Sequence, residues 1–162
     1  MALRRILVEG DPTLRKHSRP VTSFGARTWM LLDDMRETLI DANGLGLAAP
    51  QVGVLRRAVL IVDNDGTMIE LLNPEILEQS EEKVGAYEGC LSVPGERGWL
   101  ERPVKVKVRA QDRYGEWFTK ELEDMAARAA LHETDHLDGT LFIDLVDTLI
   151  TDEELQEILD KE

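Results

Sequence analysis

Two of the chain's three histidines stand four residues apart in His132-Glu133-Thr134-Asp135-His136. On a helix, residues at i and i+4 are neighbours on one face, so the two imidazoles could hold one metal ion between them. Glu133 lies about 100° around such a helix from His132. That places it beside the ion without ligating it, where it can take a proton from water on the metal. This is the arrangement of zinc hydrolases that carry their metal on a helix. As a string of five residues it also fits a charged helix that happens to contain two histidines, so the third ligand matters.

A hydrolytic metal site takes three protein ligands and keeps one position open. His17 lies far upstream among surface-like residues, and none of the many carboxylates is marked out. Cys90 is the only cysteine, which excludes an intramolecular disulfide and leaves an inert core residue, a nucleophile or a metal ligand. Its setting, Glu88-Gly89-Cys90-Leu91-Ser92, includes a glycine that permits close backbone approach. A thiolate suits zinc or ferrous iron, and the metal itself would keep it deprotonated.

These residues need elements to position them. Residues 123–137 carry a helical pattern that ends at Asp138-Gly139, which puts both histidines on one helix. An earlier helix is predicted over 26–42, with Met30, Leu31, Met35, Leu39 and Ala42 at helical spacing. Asn43-Gly44 closes it, with Gly44 free to take the left-handed conformation. Residues 58–62 form a short β-branched run, Asp63-Asn64-Asp65-Gly66 a turn, and 67–72 the return strand. Residues 104–109 alternate apolar and charged, as a half-buried strand does, and Asp112-Arg113-Tyr114-Gly115 turns them into 116–122. Thr151-Asp152-Glu153-Glu154 has the form of a capping box, and Leu155, Ile158 and Leu159 give the short helix after it one apolar stripe. The expected fold is α+β: antiparallel sheets around a central metal-binding helix, with an N-terminal helix and a short C-terminal helix.

At 162 residues, 43% hydrophobic and 31% charged, the chain reads as one globular domain spanning 1–162. The net charge of −13 argues against nucleic acid and anionic membranes as partners. No apolar run approaches the roughly 18 residues of a membrane span. The basic and then apolar start, Met1 to Val8, breaks at Glu9-Gly10-Asp11, too early for a signal peptide, so a cytoplasmic protein is expected. The acidic tail, residues 151–162, reads as a solvated helical face.

Three segments together resemble peptide deformylase: Gly44-Leu45-Gly46-Leu47-Ala48-Ala49-Pro50-Gln51, Glu88-Gly89-Cys90-Leu91-Ser92, and His132-Glu133-Thr134-Asp135-His136 with Leu137-Asp138-Gly139. Smaller matches flank them at Gly10-Asp11-Pro12-Thr13-Leu14-Arg15 and from Arg97 to Arg102-Pro103. The resemblance covers nearly the whole chain and keeps the family's order. It implies removal of the N-formyl group from the formylmethionine of nascent peptides. One divalent ion per chain is implied, with ferrous iron (Fe2+) as the usual native metal; zinc, nickel or cobalt also suit the donors. Cys90, His132 and His136 would bind the ion, and Glu133 would shuttle protons. Gln51 and the Leu91 N–H would stabilise the oxyanion. Gly44, Leu45, Gly46, Glu88, Gly89 and Arg97 would lie along the substrate.

The chain departs from the resemblance in two places. Leu131 stands where the family usually has glutamine, so any carboxylate that amide would serve, such as Glu88, needs another partner; Arg102 is the candidate. Some members also carry a basic C-terminal helix that docks on the ribosome, whereas this tail is acidic and leaves such contact open. A peptidase using the same helix motif is a weaker fit, given the setting of Cys90. A structural zinc site would close its coordination with four ligands. The alternative from another class is a catalytically silent paralogue that holds metal or binds formylated peptides.

Overall fold

The first helix, α1, occupies Ala26–Ala42 in the computed structural model, which describes residues 2–161. Met1 of the basic start and Glu162 of the acidic tail lie outside the described residues. Asn43 takes the left-handed conformation that ends α1 (φ 54°, ψ 41°). The sequence had assigned that role to Gly44. Asparagine tolerates this region, and Gly44 is needed for space instead, because a Cβ there would meet Leu91 Cδ1 at 2.9 Å.

After α1 come β1 (Gly46–Ala48), β2 (Ala58–Val62), β3 (Met68–Gln79), β4 (Lys83–Cys90), β5 (Val93–Pro103), β6 (Lys105–Gln111) and β7 (Trp117–Glu123). The second helix, α2 (Asp124–Leu137), carries the histidine motif and is followed by β8 (Leu149–Thr151) and α3 (Asp152–Asp160). The strands form two antiparallel sheets, β1-β2-β3-β6-β7 and β4-β5-β8. This is the α+β architecture expected.

Strand β2 explains the layering. Its apolar run is buried on both faces, with Ala58 and Leu60 packed in the cluster that contains α1 residues Leu32, Met35 and Leu39. Val59 and Ile61 pack in the cluster that contains Ala126, Ala127, Ala130 and Leu131 of α2. The five-stranded sheet therefore lies between α1 and α2. Each such leucine contributes about 1.5–3 kcal/mol by leaving water. The small alanines of α2 let that helix sit close against the sheet.

Other bounds differ from the sequence reading for local reasons. Strand β3 runs on to Gln79 rather than stopping at 72. Asn73-Pro74 reads as a turn, but Asn73 at φ 51° makes a bulge, and the ladder with β6 continues past it after a register shift. Strands β1, β4, β5 and β8 carried no clear pattern. Helix α3 is capped as expected, Thr151 Oγ accepting from Glu154 N–H at 3.0 Å. None of its residues is buried, so its apolar stripe stays outside the core. Among the described residues, no helix is long and apolar enough to cross a membrane.

Candidate metal centre and active site

Cys90 ends β4, and the two histidines project from α2. Their ligating atoms, Cys90 Sγ and one nitrogen from each of His132 and His136, all lie within 4.8 Å of one another. Cys90 Sγ is 3.3 Å from His136 Nε2. His132 places its Nδ1 2.6 Å from Glu88 Oε2. Donating Nδ1–H to a carboxylate sets the tautomer and leaves Nε2 as a lone-pair donor, as metal-binding histidines require. His17 is exposed beside Asp138 and takes no part.

The electrostatics suit a cation. Burial works against a charged His132, but Glu133, Cys90 and Glu88 outweigh it and raise its affinity for a proton. Burial, helped by the charge of His132, pushes His136 down to about 3, so its imidazole is neutral and able to donate a lone pair. Burial would raise Glu88, yet its bonds from Arg102 and His132 hold it well below the usual carboxylate range. Glu133 is pushed up to about 7 by burial, with His132 opposing. Among the described residues its Oε1 is buried without a hydrogen-bond partner. A native carboxylate oxygen left unpaired in this way calls for a role.

Gln51 is locked in one orientation. Its Oε1 accepts from Ala48 N–H at 2.9 Å, which turns Nε2 toward Ser92 Oγ at 3.0 Å and Cys90 Sγ at 3.6 Å. Ser92 N–H also points at the sulfur, 3.4 Å away. Leu91 opens the turn between β4 and β5, next to Cys90. A cavity of about 500 Å³ opens over this centre, and Gly44, Leu45, Gly46, Gly89, Leu91 and Arg97 contribute to its walls. Arg97 folds over Gly89, where a Cβ would lie 2.8 Å from its Nη1, and Arg97 Nε bonds Asp152 at 3.1 Å.

A family model described as polypeptide deformylase matches residues 3–151. The chain belongs to that family. A peptide deformylase of Caldicellulosiruptor bescii is 54% identical over 157 residues, covering 97% of this chain and 93% of the relative. The crystal structure of peptide deformylase from Thermotoga maritima superposes with a TM-score of 0.86 at 44% identity, covering 90% of this chain and 99% of that one. A Met-Ala-Ser-bound class I type b peptide deformylase from Acinetobacter baumannii gives a TM-score of 0.83 at 34% identity, covering 88% and 97%. Deformylases are metalloenzymes, and Cys90, His132 and His136 form a group able to bind a metal.

The contacts of two residues add to their reading. Glu88 lines the cavity, and its carboxylate also bonds Arg102, Arg128 and His132. It orients His132. The Arg102 contact is the one inferred from Leu131, and it is bidentate at 2.8 and 2.7 Å. Gly46 does more than admit a peptide: a Cβ there would lie 2.5 Å from Glu133 Oε2. Gly46→Ala should therefore displace Glu133 and lower kcat about 10²-fold, the scale of an ångström-sized misplacement, with metal content unchanged. Turnover equal to the parent's would show that Glu133 has room to shift.

Sequence reasoning missed Arg128 and Ser92. Arg128 stands one helical turn before His132, so it shares that face of α2. A charged residue on the ligand face of an alanine-rich stretch was the available signal. Ser92 had none beyond its nearness to Cys90.

Proposed function

We infer that this chain removes the N-formyl group from formylmethionyl peptides by metal-dependent hydrolysis. The observation that carries the reading is the convergence of Cys90, His132 and His136 beside Glu133, whose buried Oε1 has no partner among the described residues, where Cys90, His132 and Glu133 line an open cavity. A divalent ion held by those three ligands would polarise the formyl carbonyl and acidify a water.

The residues of the chain account for the rest. Glu133 takes the proton of the attacking water as it adds to the formyl carbon. Gln51 Nε2 and the Leu91 N–H then serve the developing oxyanion as fixed donors, a type of contact typically worth about 10²–10³ in turnover. Glu133 returns the proton to the departing nitrogen as the C–N bond breaks, which releases formate and a free methionyl amine. The backbone of Gly44, Leu45, Gly46 and Gly89 meets the peptide as an added strand, and Arg97 reaches its following residues. The Met-Ala-Ser complex of the Acinetobacter baumannii relative supports a peptide at this position.

Ferrous iron is our choice for the native ion; the same donors also accept zinc, nickel or cobalt. Residues 1–162 would act as one catalytic domain in the cytoplasm on nascent chains. Any ribosome contact would be transient. Nothing supports a silent paralogue, since the three ligands, Glu133 and Gln51 are all present and grouped.

Leu45, Ala86, Met125 and Ala129 give the cavity an apolar side. Burying the methionine side chain there should contribute about 1.5–3 kcal/mol. Formyl-Met peptides should thus exceed formyl-Asp peptides in kcat/KM by about 10- to 100-fold. Equal values would remove the apolar pocket from the account. Formate release from formyl-Met-Ala-Ser tests the activity itself.

A further inference from the structure

The three ligands come from two elements, so the spacing between α2 and the β4-β5-β8 sheet sets whether they can share an ion. Aromatic packing contributes to that spacing where His132 stacks on Phe142, with ring centroids 6.1 Å apart. The buried α2 side chains cluster with β1, β2, β3, β6 and β7, and no residue of β4 or β5 belongs to that cluster. Cys90 and Val93 pack instead with Leu14, Leu141 and Phe142.

Side-chain hydrogen bonds between α2 and strands β4 and β5 add the direct ties. From α2, Arg128 Nη1 donates to Glu88 Oε1 at 2.9 Å and to Leu100 O at 3.0 Å, and Nη2 donates to Val84 O at 2.8 Å. One side chain thus bonds both β4 and β5. Arg102 of β5 reaches the other way, its Nη1 donating to Asp135 of α2 at 3.1 Å. Both arginines and Glu88 are buried. Glu88 Oε1 accepts from Arg102 and Arg128, and Oε2 from Arg102 and His132, so the carboxylate is saturated. Leu131 sits in the apolar cluster against the five-stranded sheet, and Glu88 has no need of an amide from that position.

We propose that Arg128 is a positioning residue for the metal centre, fixing Glu88 against His132 and holding α2 at the distance from β4 at which Cys90 and both histidines reach one ion. It acts through Glu88 and the two strand carbonyls. The inference rests on the ligand set assigned above. Partners that orient metal ligands typically change affinity by about 10–100-fold when removed. Arg128→Met keeps the buried stem and removes all three bonds. Arg128→Lys keeps the charge but cannot span the three acceptors, since the planar fork is lost.

The test is cobalt(II) binding by the metal-free protein, measured by chelator competition and by the thiolate-to-cobalt charge-transfer band that Cys90 would produce. The melting temperature of the metal-free form is recorded alongside. Arg128→Met should bind cobalt about 10–100-fold more weakly than the parent, with an altered band, and Arg128→Lys should fall between them. If Arg128→Met does not fold, a weakened affinity in Arg128→Lys supports the proposal and parental affinity overturns it. A lower melting temperature with parental cobalt affinity and band would make Arg128 purely structural and overturn it too. A parent protein without the thiolate band would instead sink the ligand assignment, a distinguishable failure.

Discussion

Glu133→Gln should keep the metal and lose about 10²–10⁴-fold in turnover, the usual contribution of a general base. Glutamine has nearly the same shape, so the clearance at Gly46 is preserved, but an amide cannot accept the proton. The same carboxylate should set the acid limb of the pH profile. Burial pushes Glu133 up to about 7. The reaction needs its deprotonated form, so activity is lost as pH falls through that value. A neighbouring divalent cation favours the carboxylate and shifts the limb lower. The parent's kcat/KM should therefore rise with pH to a plateau, with its limb at or below about 7, and the residual activity of Glu133→Gln should lack that limb. Loss of metal in Glu133→Gln would instead make the residue a ligand.

Cys90→Ser and His136→Ala should each deplete the bound metal and take turnover with it. A hydroxyl is a poor substitute for a thiolate toward these ions, and alanine offers no donor. The remaining two ligands cannot close a site built for three. Metal analysis of the purified variants checks this, with the parent expected to hold one divalent ion per chain. Full occupancy in both variants would contradict the convergence of Cys90, His132 and His136 as the reason the site exists.

The legible parts of this chain were those where one physical signal dominates. Residues 26–42 and 58–62 declare themselves through helical spacing and an unbroken apolar run, and α1 and β2 have those bounds. The His132-His136 spacing needed only helix geometry. Strands β4 and β5 were silent because Gly85, Gly89, Pro94, Gly95 and Gly98 erase the alternation. At least three of these glycines serve packing: Gly85 lies under Trp99, Gly89 under Arg97 and Gly98 under Val146. A glycine kept for a neighbour's bulk looks, in sequence, like a turn. The steric tie of Gly46 to Glu133 was equally hidden, since it joins residues far apart in the chain. Arg102 could be paired with Glu88 because Leu131 left a carboxylate without its usual partner. Arg128 could not, because nothing local says that β4 and β5 lie against that face of α2.

The most direct test of the account is formate release by anaerobically purified protein on formyl-Met-Ala-Ser, beside N-acetyl-Met-Ala-Ser and an unblocked peptide. A formyl group is smaller than an acetyl group, and its carbon is more open to attack. The account predicts metal-dependent turnover of the formyl peptide alone, abolished by chelation and restored by ferrous iron. Absence of formate release from fully metal-loaded protein, or hydrolysis of all three peptides at similar rates, would contradict it.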